Sequence, residues 1–201
     1  MSNKQTKTVA IASVLVLALL FVSIYLLRKS GGGSASANLP PNFLISRQEA
    51  SVISQNIVDL TNKTDEKIAE ANAADLAGDK VKAKALIEDA QNMNKEAYKA
   101  AADLADQLKI LTESLASMNP SSQRLAYEAV ATEFSLVSEF IVYTQNLNGF
   151  LEKLLVSMET DVTVSKADIA SALQSTNDSA KKINSLNTEF NARMKTLDNS
   201  F

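Results

Sequence analysis

Residues that carry common enzyme chemistry are scarce in this chain. Its 201 residues include no His and no Cys, which excludes His-based nucleophilic triads, catalytic thiols, zinc sites built from His or Cys, and the Glu-x-x-His pairs of ferritin-like di-iron bundles. Acidic neighbours such as Glu88 and Asp89 occur without the spacing of a calcium-binding loop. Gly31 to Gly33 lack the G-K-[ST] ending of a phosphate-binding loop. We therefore expect no enzyme activity, no cofactor and no metal site.

The first structural element that the sequence predicts is a long apolar segment near the N-terminus. Residues 8–27, TVAIASVLVLALLFVSIYLL, are uncharged, and two cations stand on either side of them. Twenty residues at about 1.5 Å each form a helix of about 30 Å, the thickness of the hydrocarbon core of a bilayer. We expect a transmembrane anchor over residues 8–29 after a short tail, residues 1–7. The residues expected to contact lipid are Val9, Ile11, Val14, Leu15, Val16, Leu17, Leu19, Leu20, Phe21, Val22, Ile24, Leu26 and Leu27.

A cleavable signal peptide is the competing interpretation of this segment, because Ala35-Ser36-Ala37 imitates a cleavage site. The apolar region of a signal peptide contains about 7–15 residues, so the length of this one favours a permanent anchor. The flanking charges are equal on the two sides and leave the orientation open under the positive-inside rule. The short tail and the absence of Cys favour an extracytoplasmic domain on a single-pass membrane anchor.

The charge of the remaining chain limits its partners. All 23 acidic residues follow residue 29, whereas four of the 20 basic residues flank the anchor, which leaves residues 30–201 with a net charge of −7. Such a domain repels nucleic acid, so we expect no nucleic-acid partner. The whole chain has 5 Gly and 3 Pro, too few for the turns of an extensive sheet, and this composition predicts an all-α fold.

Helix start and stop signals divide the chain after the anchor into a flexible linker and a helical domain. A capping-box pattern begins at Ser46. Gly78 and Asn119 mark the two following junctions, and Ser165 begins the last helix. Because the connections are short, we expect an antiparallel up-down-up-down four-helix bundle with long helices. The expected segments are a Gly/Ser/Pro linker over 30–44 and a domain over 45–201, with helices over about 46–77, 80–118, 120–158 and 165–199.

Apolar residues recur at steps of four and three along the helices, which is the pattern of a bundle seam. In the fourth helix, Thr176 and Asn187 occupy seam positions. A polar residue at such a position often fixes helix register and oligomeric state at some cost in stability. We predict that Asn187 sets the helix register of this bundle.

The third helix has a wider apolar face than one seam requires. Phe134, Val137, Ile141 and Phe150 extend this face beyond the main stripe, and the surrounding stretch is nearly uncharged. Burial against two neighbouring helices is one explanation, and an additional partner surface is the other. We predict that these four residues form the main surface for a protein partner or for self-association.

Two functions are compatible with these features. The first is a membrane-anchored helical bundle that acts as an interaction or scaffolding protein at the cell envelope, with the lipid bilayer and a protein as partners. The alternative is a sensory or ligand-binding bundle that holds a small molecule between its helices. Such a ligand would bind near the Ala-rich half of the bundle or beside Tyr98, Tyr127 or Tyr143.

Overall fold

The computed structural model describes residues 40–159 and 164–199. These ranges contain four helices and no strand, which confirms an all-α fold for them. The expected anchor over 8–29 and the expected linker up to residue 39 lie outside the described residues. The helices are α1 (Pro41–Leu76), α2 (Lys80–Ser114), α3 (Pro120–Met158) and α4 (Lys166–Asp198), and a short 3₁₀ turn (Leu115–Ser117) follows α2.

Helix α1 begins five residues earlier than the capping-box pattern predicts. Its first residue is Pro41, and no side chain caps it. Ser46 is buried inside the helix, so the expected cap at Ser46 and the expected end of the linker at residue 44 are wrong. The fixed φ of Pro41 suits the first helical position. In addition, the early start buries Phe43 in the apolar cluster at this end of the bundle.

Local signals define the other helix boundaries. Gly78 has φ 83°, the left-handed conformation that commonly ends a helix. The side-chain oxygens of Asp79, Asn119 and Ser165 each accept a hydrogen bond of 3.0 Å from the backbone N–H three residues further on. These bonds cap α2, α3 and α4. Helix α4 begins at Lys166, directly after its cap, and α3 spans the range that the sequence indicated.

Each helix runs antiparallel to the next one in the chain, because the start of one contacts the end of the other. The approach of α1 to α4 is looser than that of the three sequential pairs. At one end of the bundle, α1 and α4 are joined by an ion pair between Arg47 and Asp198. The contacts across the sequential seams include Gln107–Glu49 (2.8 Å), Lys84–Glu159 (3.5 Å) and Arg193–Glu128 (3.1 Å).

The core consists of two apolar clusters. The larger one runs along most of the bundle, and the smaller one fills the end where α1 begins and α4 ends. Small buried residues such as Ala71, Ala83 and Ala90 allow α1 and α2 to approach each other closely. Helix α3 is continuous across Asn148 and Gly149, where the sequence leaves a kink or a break open. None of the four described helices is both long and apolar enough to cross a bilayer.

Candidate functional site

Buried polar side chains interrupt the core near the middle of the bundle. Thr64, Asn94, Thr144 and Thr176 are all almost inaccessible to solvent. The threonine hydroxyls donate to carbonyl oxygens of their own helices, as Thr64 does to Leu60 at 2.9 Å. Such bonds satisfy the hydroxyl groups locally and leave them no need for a partner on another helix.

One of these polar side chains links two helices directly. The Nδ2 group of Asn94 in α2 donates a hydrogen bond of 2.8 Å to the backbone carbonyl oxygen of Thr144 in α3. Both residues are buried. A buried bond of this kind aligns α2 with α3, because a shift along either helix would leave the amide of Asn94 unsatisfied.

Two other polar side chains near the middle of the bundle, those of Asp65 and Tyr143, have no hydrogen-bond partner in the described part of the chain. Both carboxylate oxygens of Asp65 and the hydroxyl oxygen of Tyr143 are buried and accept or donate no hydrogen bond there. Burial raises the pKa of Asp65 to about 7. Burial also raises the pKa of Tyr143, and the negative charge of Asp65 raises it further. The two groups are therefore neighbours in a medium of low dielectric constant.

The position of Asp65 on α1 shows which seam it faces. Lys67 lies on the α2 side of α1, since it interacts electrostatically with Asp89. Residues two apart in an α-helix point about 200° apart, so Asp65 faces away from α2. It therefore lies at the side of α1 that is open to α4, where these two helices approach each other less closely. Tyr143 reaches the same region from α3.

A second group of charged residues lies at the end of the bundle where α1 begins. Nη1 and Nη2 of Arg47 donate to Oδ1 and Oδ2 of Asp198 at 3.2 and 3.4 Å. Glu133 of α3 lies close by: burial raises its pKa to about 7, and the positive charge of Arg47 opposes this shift. Arg47 thus links α1 to α4 by hydrogen bonds and to α3 by its charge.

Arg47 and Glu133 also line a small cavity between the four helices. The cavity has a volume of about 20 Å³, which is room for about one water molecule. Its other walls are apolar side chains, including Phe43, Phe190 and Met194. Because its volume is so small, we assign it a role in packing rather than in ligand binding.

The four residues predicted as a partner surface do not form one in the folded chain. Val137 is 2% exposed and Phe150 is 1% exposed. Phe134 and Ile141 are partly buried and pack against the core. The prediction of an external surface at these positions is corrected, because α3 packs against both α2 and α4 and uses both apolar stripes for that packing.

The outer side of α3 has a different character from its apolar stripes. Its exposed positions between residues 125 and 151 carry no charge, whereas the exposed positions of α2 are rich in Lys, Asp and Glu. We call this surface the neutral face. It consists of Tyr127, Ala131, Ser135, Ser138, Val142 and Gln145.

The remaining predicted positions divide between surface and core. Tyr98 and Tyr127 are exposed, so of the three tyrosines considered for a ligand only Tyr143 lies inside the bundle. Asn187 is 3% exposed, and its Oδ1 atom accepts a long hydrogen bond of 3.5 Å from Nδ2 of Asn191. Its assignment to helix register stays a prediction.

Sequence reasoning did not single out Asp65 and Glu133. Both lie at helical spacing from buried residues: Asp65 follows Thr61 by four residues and precedes Ile68 by three, and Glu133 follows Val130 by three and precedes Val137 by four. An acid at such a position is the signal that could have identified them. Comparison of the chain with protein-family models, with curated proteins and with solved structures finds no match.

Proposed function

We propose that this chain is a membrane-anchored helical-bundle protein that acts as an interaction or scaffolding module at the cell envelope. In this proposal the apolar segment over residues 8–27 forms the core of an anchor over residues 8–29, and the acidic bundle lies outside the cytoplasm. The proposal is supported by the length and charge pattern of that segment and by the four long, closely packed helices.

The neutral face of α3 is the surface we assign to the partner. The observation that carries this assignment is the absence of charge from its exposed positions in a domain whose net charge is −7. The residues near the centre of a protein interface are depleted in charge. Exposed Val142 and Tyr127 supply apolar area, and the small residues between them allow a second helix to approach closely.

A second copy of the chain is the partner we expect on this face. Two acidic domains repel each other through most of their surfaces, but they can pack neutral face against neutral face without opposing like charges. The face is short, so the contact is expected to be weak in solution. Attachment of both copies to one membrane raises their effective concentration and compensates for this weakness.

Disulfide crosslinking of the full-length chain in membranes tests the proposal. The chain has no Cys, so a single Ser138→Cys substitution places one thiol near the middle of the neutral face. We expect crosslinked dimers from Ser138→Cys and a loss of at least about tenfold when Val142→Lys is added, because a buried lysine in each copy is costly.

Two controls make the result specific. Ser185 is an exposed serine of α4, and Ser185→Cys should crosslink poorly. Val52 of α1 is 65% exposed, and Val52→Lys should leave the Ser138→Cys crosslink intact. Equal crosslinking at positions 138 and 185 contradicts self-association through the neutral face.

The second candidate function, a ligand-binding or sensory bundle, is favoured by one specific observation. Asp65 and Tyr143 bring three buried polar atoms without partners to one region of the described bundle. Unpaired polar atoms inside a protein cost free energy unless a bound molecule satisfies them. A small polar molecule in the seam between α1 and α4 would supply those hydrogen bonds.

A further inference from the structure

Both carboxylate oxygens of Asp65 are buried, and the carboxylate has no countercharge among the described residues. Other charged side chains that reach into the bundle are paired. Arg47 pairs with Asp198, and Lys182 approaches Glu139 at 2.5 Å. For Asp65, burial is the sole influence on its pKa within the described residues, and no basic side chain offsets it. An ionised carboxylate in this position needs a cation from outside the chain.

The number of unsatisfied atoms matches one class of cation. Asp65 offers two carboxylate oxygens and Tyr143 offers one hydroxyl oxygen, so three acceptor atoms lie in one region. A primary ammonium group has three N–H donors and one positive charge. A water molecule has two donors and no charge, so it would leave the carboxylate charge uncompensated.

A divalent metal ion fits the same residues poorly. No group of three or more metal-binding side chains occurs in the described residues, and Ca²⁺ takes six to eight oxygen ligands, usually from several carboxylates. Apolar groups, in contrast, are available beside the carboxylate. Ile68 lies one turn from Asp65 on the same side of α1, and the ring of Phe140 lies 5.8 Å from that of Tyr143.

We propose that the seam between α1 and α4 binds a small primary amine in its protonated form, with the ammonium group held by Asp65 and Tyr143. The inference rests on the second proposed function, ligand binding, and adds the chemical class of the ligand. The looser approach of α1 to α4 provides the entry route. The net negative charge of the domain attracts a cation to this route.

The proposal is tested on the full-length chain in detergent with methylammonium as the probe. Above pH 7, where Asp65 is ionised, methylammonium chloride should raise the thermal midpoint of unfolding by several degrees in a saturable manner. Sodium chloride and tetramethylammonium chloride at equal ionic strength should not, since neither cation has an N–H donor. An equal response to all three salts would show charge screening only and would overturn the proposal.

Variants assign the effect to the site. Asp65→Asn should abolish saturable binding measured by calorimetry, and Tyr143→Phe should weaken it about tenfold by removing one hydrogen bond. Asp59→Asn is the matched control, because Asp59 is an exposed acid of the same helix. Asp65→Asn removes an uncompensated buried charge, so we expect it to fold at least as well as the parent. Unchanged binding in Asp65→Asn overturns the assignment.

A second probe separates this inference from the function on which it rests. If methylammonium fails to bind but a neutral molecule such as glycerol binds in a manner that depends on Tyr143, the ammonium inference is wrong and the ligand-binding function is retained. If neither probe binds, and a crystal structure shows one water bridging Asp65 to Tyr143, both are wrong.

Discussion

Asp65 and Glu133 are two partly buried acids of the same bundle in different electrostatic surroundings. Burial raises the pKa of each to about 7. Glu133 lies near the guanidinium of Arg47, which also bonds to Asp198, whereas Asp65 has no basic side chain near it in the described residues. The same type of residue therefore takes part in holding helices together at one position and lacks a partner at the other.

The difference indicates what each region is suited to do. At the end of the bundle, the Arg47 network ties together three helices that are distant in sequence, and its contribution is structural. In the middle of the bundle, the unsatisfied atoms of Asp65 and Tyr143 lower stability until something binds to them. The first region therefore stabilises the arrangement of the helices, whereas the second would be stabilised by a ligand that pairs its polar atoms.

The largest effect is expected from removal of the countercharge at the end of the bundle. Arg47→Met keeps much of the side-chain volume but leaves Asp198 and Glu133 without their cation. We expect the free energy of unfolding to fall by about 2–3 kcal/mol above pH 7, because breaking a partly buried ion pair leaves uncompensated charge. Chemical denaturation followed by circular dichroism measures this loss.

Lys67→Met provides the control for this experiment. Lys67 is a cation of the same helix, and its ion pair with Glu70 at 2.7 Å lies at the surface. Exposed pairs of this kind contribute little to stability, so the control should lower the free energy of unfolding far less than Arg47→Met does. Equal losses in the two variants would remove the distinction between a structural network and an ordinary surface pair.

The next effect is a dependence of stability on pH that both acids share. Each has a folded-state pKa of about 7, above the ordinary values of 3.8 for Asp and 4.5 for Glu. The folded chain therefore binds protons more tightly than the unfolded chain, and this contribution to stability is lost as the pH rises from about 4 to about 7. Shifts of this size correspond to at most about 3–4 kcal/mol for each group. Because both side chains are only partly buried and water screens their charges, we expect a loss of about 1–2 kcal/mol for each.

Neutral variants isolate the two contributions. Asp65→Asn and Glu133→Gln should each flatten the pH profile of the free energy of unfolding over this range, and the double variant should flatten it further. Asp59→Asn, at the surface, should leave the profile unchanged. Methylammonium should flatten the profile of the parent chain but not that of Asp65→Asn. Identical profiles in parent and variants would show that neither acid is perturbed.

Features that depend on neighbouring residues could be predicted from the sequence. Features that depend on contacts between distant residues could not. The junctions at Gly78 and Asn119 rely on local backbone chemistry and could be identified directly. The early start of α1 depends on the packing of Phe43 against residues at the other end of the chain. Val137 looked available for a partner because sequence periodicity does not show how many neighbours a helix has. The absence of a hydrogen-bond partner for Asp65 could not be predicted either, because the sequence does not show which side chains of other helices surround it.

The smallest effect is expected at Asn187, a neutral polar residue of the core that differs from both acids. Its side chain is nearly inaccessible to solvent, and its Oδ1 atom accepts a long hydrogen bond of 3.5 Å from Nδ2 of Asn191. Asn187→Leu should leave the free energy of unfolding equal or raise it by up to about 1 kcal/mol, because apolar packing replaces a buried amide. We expect the substitution to make helix pairing less specific. Light scattering after size exclusion should then show oligomers or packing variants that are absent from the parent chain.

Asn191→Leu is the matched control, because it removes the same contact from a less buried position. It should leave the oligomeric state unchanged. If Asn187→Leu unfolds more easily and stays monodisperse, Asn187 belongs to a required polar network, like Arg47, and its role is stability rather than register. If it behaves as expected, the bundle contains three kinds of buried polar residue: one that ties helices together, one that lacks a partner, and one that selects a single arrangement of the helices.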